Sequence, residues 1–341
     1  MNATILSNNE KHYPVLLNEI LSIISPQNGG TFIDCTFGQG GYSKEILKFS
    51  NTKVIAFDRD SKCKEIADSL KKKNKDRFTF FNKKFSEIKD LESDFKNIRA
   101  VIFDLGFSYS QIKDPEKGLS FDNKGPLNMR MGKNNFSAED VINKLDQKDL
   151  ELIFKYFGED KDFKKISKNI IRERENKLID TPELVKIINY SKKNRNKKIN
   201  NATKIFQAIR VFVNKEISEL INGLIESVKL VNTNGLIVVV TFNSIEDKIV
   251  KYFFKSLSDQ QKVSRYFPEP SKKKNIFNLI QKKPITPSEK EIKINYPSRS
   301  AKLRYAIKIN YSDNFEKDFL KKFHKLIEVE NLSEKLWKKF I

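Results

Sequence analysis

Three aspartates stand where a strand-like apolar run gives way to a turn: Asp34 after Thr31-Phe32-Ile33, Asp58 after VIAF, and Asp104 after VIF. Between the first two runs the bend Thr36-Phe37-Gly38-Gln39-Gly40-Gly41. Glycine takes up positive φ without penalty and lets a backbone approach a ligand closely at a helix N-terminus. An acid about 20 residues past the first glycine, at the end of the second strand, is placed to accept hydrogen bonds from ribose hydroxyls, and Asp58 holds that position. The bend departs from the G-x-G-x-x-G that seats a pyrophosphate, and Asp34 beside it would repel phosphates. A sulfonium that carries an amino acid tolerates such an acid, so S-adenosylmethionine is the expected ligand and a dinucleotide is disfavoured. Asp104 closes a fourth strand at the sheet edge where open α/β folds bind their ligands. Methyl transfer is an in-line displacement, which needs alignment of the acceptor and a destination for its proton; Asp104 can serve the second purpose or orient the ligand. The competing reading of Asp104 is a simple turn cap.

The elements that must position these residues follow from hydrophobic periodicity. From about Thr31 to Gly106 the chain alternates TFIDC, SKEILKF, VIAFD, a Lys-rich helical stretch from Ser61, FTFFN, a second helix near Ser86, and AVIFDLG. Alternation of this kind predicts right-handed crossovers and a parallel sheet covered on both faces. It stops after Gly106, and helices with polar loops follow to about Phe212, as an insertion would. Ile205, Ile209, Phe212, Ile217, Leu220, Leu224 and Val228 recur at three- and four-residue spacing and predict one long amphipathic helix back to the sheet. Asn234-Gly235 opens the strand LIVVVTF, and Ser244 with Asp247 reads as the start of a capped helix to about Ser256. IFNLIQ and AKLRYAIKI are expected to pair as an antiparallel end of the sheet. In the tail, Phe315, Phe319, Phe323, Leu326, Leu336, Trp337 and Phe340 lie at helical spacing and predict a stripe packed on the body.

The expected division is a discontinuous core of 1–111 and 213–311, a helical substrate-recognition insertion of 112–212, and a helical tail of 312–341. At 341 residues the chain has room for two domains, and Lys+Arg 65 against Asp+Glu 44, a net charge of +21, favours a polyanionic partner. The Lys, Asn, Ile and Phe richness resembles compositional drift, which weakens the charge argument. No apolar run approaches the ~20 residues that cross a bilayer. The start MNATILSNNEKHYPVLL lacks a basic n-region and a continuous apolar stretch, so no secretory signal is read and the cytoplasm is the expected compartment. Two cysteines, Cys35 and Cys63, and two histidines, His12 and His324, argue against structural zinc and His-driven catalysis.

Nine ordered segments carry a resemblance: HYPVLLNEIL, GGTFIDCTFGQGGYS, AFDRD, IFDLGFSYSQI, KGLSFDNKGPLNMRM, YFGEDK, ATKIFQAIRVFVNKEISEL, TFNSIEDKIVK and RSAKLR. From about His12 to Ile309 the chain resembles the bacterial small-subunit (16S) ribosomal RNA cytosine-N4 methyltransferase H family. The resemblance implies a class I S-adenosylmethionine-dependent methyltransferase: an α/β, Rossmann-like, mostly parallel sheet with an antiparallel end strand and an inserted helical domain. It implies methylation of the exocyclic N4 of a decoding-site cytidine in 16S ribosomal RNA within the small subunit. Cofactor contacts implied by it fall on Gly40, Gly41, Tyr42, Asp58, Phe85, Asp104 and Gln111; Phe85 and Gln111 come from the resemblance alone. The chain departs from the family at Asn243 (usually His), Asn200-Asn201 (His-Pro), Asn128 (Asp), Tyr42 (often His) and Lys204 (Arg). An amide at Asn243 does not titrate, so it can only position a base or water.

Cytosine N4 is a weak nucleophile because its lone pair is delocalised. The expected catalytic arrangement has Asp104 accept an N4 proton in a hydrogen bond, with Asn243 or a backbone carbonyl as its partner. Phe107 and Tyr109 are candidate walls for an unstacked base. Lys192, Lys193, Arg195, Lys197 and Lys198, then Lys272 to Lys274, then Arg299, Lys302 and Arg304 are candidate phosphate contacts. Two rival readings stay open: a methyltransferase for another amine in DNA or protein, and a catalytically silent RNA-binding assembly factor. A homodimer is left open.

Overall fold

A computed structural model describes residues 13–90, 97–107, 111–112, 114–121, 125–192, 200–258, 275–311 and 315–338. The chain divides into two compact units, 1–106 with 227–312 and 107–226 with 313–341. The sequence put the return to the core at 213 and kept the tail apart. In the structure the return comes at 227, and the tail belongs with the helical unit.

The first unit is a seven-stranded sheet in the order β3-β2-β1-β4-β5-β7-β6. Its strands are β1 (Gly30–Asp34), β2 (Thr52–Phe57), β3 (Phe78–Phe81), β4 (Ile98–Asp104), β5 (Leu236–Thr241), β6 (Phe277–Asn278) and β7 (Lys302–Lys308). The first five pair in parallel, and β7 runs antiparallel between β5 and β6. This is the mostly parallel Rossmann-like arrangement the sequence predicts. Its cause is visible in the residues: Phe32, Ile33, Ile102, Phe103 and Val238 to Val240 are all fully buried, so apolar runs face helices on both sides. Strand order reverses between β1 and β4, and the crevice at such a reversal is where open α/β sheets take their ligands.

Around the sheet lie α1 (Leu17–Ile24), α2 (Gly41–Ile46), α3 (Lys64–Asn74) and, after the insertion, helices described below. The helix expected near Ser86 is a 3-10 turn, Phe85–Asp90.

The second unit is helical. It contains α4 (Ala138–Lys144), α5 (Gln147–Tyr156), α6 (Phe163–Arg174), α7 (Thr181–Ser191) and α8 (Thr203–Asn214). Polar caps set their starts: Ser137 with Asp140 forms a capping box for α4, and Asp146 and Asp180 accept from Asp149 N and Glu183 N. The single long helix expected from Ile205 to Val228 is two, because Lys215 takes a left-handed conformation (φ 50) and ends α8 before α9 (Glu216–Leu230) begins. Tertiary bonds hold that break. Asn214 accepts from Met131 N and donates to Met129 O, and Arg210 forks onto Glu216 with two 2.9 Å bonds. Apolar spacing carries through Lys215 and gave no sign of it.

Beyond β5 come α10 (Ser244–Ser256) and α11 (Glu289–Ile294) in the first unit, then α12 (Phe315–Asn331) and α13 (Ser333–Lys338) in the second. Phe315, Phe319 and Leu336 are buried as the tail stripe predicts, and Lys335 pairs with Asp149 at 2.8 Å. The side chains of Trp337 and Phe340 lie outside the described residues. No helix among the described residues is long and apolar enough to cross a membrane.

Candidate active site

The carboxyl ends of β1 and β4 bring Asp34 and Asp104 together at the strand-order reversal. Register fixes the approach: Asp34 lies opposite Ile102, two residues before Asp104, and Cys35 N donates to Ile102 O at 2.9 Å. The Thr36 hydroxyl accepts from Asp104 N at 2.8 Å, tying the start of the glycine bend to the end of β4.

Asp34 is fully buried and accepts the Ser43 hydroxyl at 2.6 Å and Thr36 N at 3.3 Å. Burial raises its pKa to about 6, opposed by those hydrogen bonds. Asp104 is raised to about 7, first by burial and next by the charge of Asp34. Tyr42, 3% exposed, places its hydroxyl 2.5 Å from Val15 O and 3.3 Å from Asp104 Oδ2. The other oxygen, Asp104 Oδ1, is buried with no hydrogen-bond partner among the described residues. Buried polar atoms are nearly always paired, and an exception marks a place kept for something other than stability.

The glycines are required by the bend itself. Gly40 sits at φ 73 as the residue before α2, where a Cβ would meet the Phe37 ring at 2.8 Å; over Gly41 it would meet Pro14 Cγ at 2.2 Å. The chain's own Phe37 and Pro14 fill the Cβ directions of both residues, so packing demands glycine here as well as the bend. Gly40 N donates to Phe37 O, whereas the amides of Gly41 and Tyr42, in the first turn of α2, have no partner among the described residues.

Asp58, half-buried past β2, accepts Gly38 N and Asp60 N at 2.8 Å each, and burial raises its pKa. It thus fastens the bend as well as offering an acceptor at the second strand end. Phe85 is half-buried and meets Phe103 edge-on at 5.3 Å. Gln111 is half-buried and belongs to the second unit.

Asn243 does not partner Asp104. Its carbonyl accepts Ile245 N and Glu246 N at 3.0 and 2.9 Å while Glu246 accepts Asn243 N, a capping box one residue before the Ser244–Asp247 start expected from sequence. Asn200 likewise accepts Ala202 N, and Asn128 accepts Arg130 Nε.

The basic clusters are partly internal. Lys192 is buried against Asp160 at 2.6 Å, and Lys302 and Arg304 both bind Asp247, at 3.1 and 2.8 Å. Arg299 stacks over the exposed Tyr296 ring at 4.3 Å. Lys193, Arg195, Lys197, Lys198, Lys272 to Lys274 and Tyr109 lie outside the described residues. Phe107, 37% exposed, carries the Arg210 guanidinium over its ring at 4.8 Å.

Sequence reasoning missed Thr36, Ser43 and Glu291 as parts of this site. Glu291 accepts Leu16 N at 2.8 Å, bracing the segment that carries Val15. Nothing local in the sequence marks a bond across 275 positions.

Three features suit a cationic ligand that bears a nucleoside: two facing acids raised by burial, an orphaned acceptor between strand ends, and a further acid one strand away. The sequence signature of the MraW methylase family matches residues 9–309. "Ribosomal RNA small subunit methyltransferase H" of Ehrlichia canis (strain Jake) is 42% identical over 304 residues, covering 87% of this chain and 100% of the relative. The protein of the same name from Orientia tsutsugamushi (strain Ikeda) is 40% identical over 314 residues, covering 89% and 99%. A solved rRNA methylase from Streptococcus thermophilus aligns over 85% of this chain and 96% of its own at 9% identity, with a TM-score of 0.38.

Proposed function

The chain belongs to the MraW methylase family, whose methyl donor is S-adenosylmethionine, and from that premise we propose that it methylates the exocyclic N4 of a decoding-site cytidine in 16S ribosomal RNA, in the cytoplasm. The single observation that carries the site assignment is the buried Asp104 Oδ1 beside Asp34, without a hydrogen-bond partner among the described residues.

The bound donor supplies an activated methyl on sulfur. Everything else falls to the chain. Asp104 presents a carboxylate that accepts a hydrogen bond from the target amine, drawing its lone pair out of the ring and taking the proton released on methylation. Asp34, held by Ser43, contributes negative potential at the crevice, where it favours a cation. Gly41 and Tyr42 offer their backbone amides, Asp58 an acceptor for ribose hydroxyls, and Phe85 a ring edge beside the nucleoside. Gln111 joins this set on the family pattern alone. Asn243 orders the β5–α10 turn as a cap. That role needs no titratable group, so the family's His is dispensable there for folding.

Nucleoside mass spectrometry of ribosomal RNA from cells lacking the gene tests the reading. Loss of N4-methylcytidine, restored by the wild-type chain and not by Asp104→Ala, supports it. An unchanged nucleoside profile would favour a silent assembly factor, and a loss confined to DNA or protein would move the substrate.

A further inference from the structure

Proton counting at Tyr42 leads past that reading, although it rests on it for the ligand. The phenol has one proton and two oxygen neighbours, Val15 O at 2.5 Å and Asp104 Oδ2 at 3.3 Å. Two oxygens come as close as 2.5 Å only with a proton between them, and a carbonyl has none to give. The phenol therefore donates to Val15 O and turns lone pairs toward Asp104 Oδ2. An ionised carboxylate would face those lone pairs with no proton between, whereas a protonated Oδ2 donates into them.

We propose that Tyr42 is a positioning residue that holds a proton on Asp104 Oδ2 in the ligand-free protein, and that binding of S-adenosylmethionine expels this proton, leaving a carboxylate ready for the target amine. The carboxyl O–H bond breaks, its electron pair stays on Asp104, and the proton passes to solvent. Asp34 at the end of β1, Glu246 on α10 and Glu291 on α11 all raise the Asp104 pKa, whereas a phenol that donated to Oδ2 would lower it, so the direction of the Tyr42 bond decides how firmly the proton is held. Burial acts in the same direction as those acids and holds the carboxyl near pKa 7. The orphaned Oδ1 fits as well, since a neutral carbonyl oxygen is far less costly to leave unpaired in the interior than half of a carboxylate. One carboxyl thus serves twice. Neutral, it lets the empty site stay folded; ionised, it holds a cation and afterwards accepts a proton.

Calorimetric titration of the full chain with S-adenosylmethionine, without RNA and in buffers of different ionisation enthalpy, counts the protons exchanged. The proposal expects close to one proton released at about pH 6, falling toward none at about pH 8.5. Tyr42→Phe removes the acceptor of the carboxyl proton and should move the midpoint of release down by about one pH unit. A phenol that donates to an ionised carboxylate would make the same substitution move it up, which overturns the proposal. Asp104→Asn should cut the release at about pH 6 to the fraction that Asp34 supplies, and the wild-type titration decides the matter if either variant fails to fold. Binding with no proton released at about pH 6 overturns the proposal and leaves the cofactor reading intact; no binding at any pH overturns both.

Discussion

Asp104, half-buried in the first unit, and Glu330, fully buried in the second, are each raised by desolvation to a pKa of about 7. What separates them is the treatment of their oxygens. Glu330 gives one oxygen to Ile217 N at 2.7 Å and the other to Ser218 N at 2.9 Å, so the tail supplies a carboxylate cap for the first turn of α9. Asp104 has only the Tyr42 hydroxyl, a long 3.3 Å from Oδ2, and no partner for Oδ1 among the described residues. A satisfied buried acid holds a fold together. An unsatisfied one weakens it by about 1–3 kcal/mol and persists where binding or chemistry needs it. A raised pKa alone does not tell the two apart; the count of hydrogen-bond donors does.

Exchanging the two acids for other side chains should therefore pull stability and binding in opposite directions. The largest effect is expected for Asp104→Asn. Equilibrium dialysis should show affinity for S-adenosylmethionine reduced at least about 100-fold, while the thermal midpoint at about pH 8 rises because an ill-satisfied charge is gone. Next, Glu330→Ala leaves two helix-terminal amides bare and a cavity, and denaturant unfolding should show a loss of about 2–3 kcal/mol with cofactor affinity unchanged. A drop in affinity there would blur the distinction between the two acids.

A smaller effect concerns pH. The folded-state pKa of Glu330 is raised from 4.5 to about 7, so between those values the native chain keeps a proton that the unfolded chain has released. Its contribution to stability is full below the lower value and is lost as pH climbs through the upper one. Glu330→Gln should flatten the stability–pH profile across that window by about 1–2 kcal/mol; an unaltered slope would show that the proton is held elsewhere. Smallest is Asn243→Ala. A helix cap is worth about 1 kcal/mol, so stability should fall by that amount and methyl transfer by little, whereas a hundredfold loss of rate at full occupancy would return Asn243 to the chemistry.

The parts of this comparison that lie on strands could be seen in the sequence. Continuous apolar runs marked β1, β2, β4 and β5, and an acid at the end of three of them, Asp34, Asp58 and Asp104, pointed to the ligand edge because a charge there has few other uses. Features that depend on partners far along the chain could not. Nothing in the sequence singles out Glu330, whose bonds go to Ile217 and Ser218, 113 and 112 positions away. Lys192, Lys302 and Arg304 looked like phosphate ligands, yet Asp160 and Asp247, 32 and at least 55 positions off, hold them. The break at Lys215 escaped notice because helical spacing of apolar residues is the same whether one helix or two display it. Asn243 was placed in the chemistry by resemblance, and its backbone bonds put it in the capping box of α10.

The most direct test of the central claim is a crystal structure of the chain with S-adenosylhomocysteine, whose amino-acid and nucleoside ends are those of the methyl donor. The account predicts a ligand nitrogen within about 3 Å of Asp104 Oδ1. A ligand seated elsewhere, with Oδ1 facing only protein or water, would contradict it.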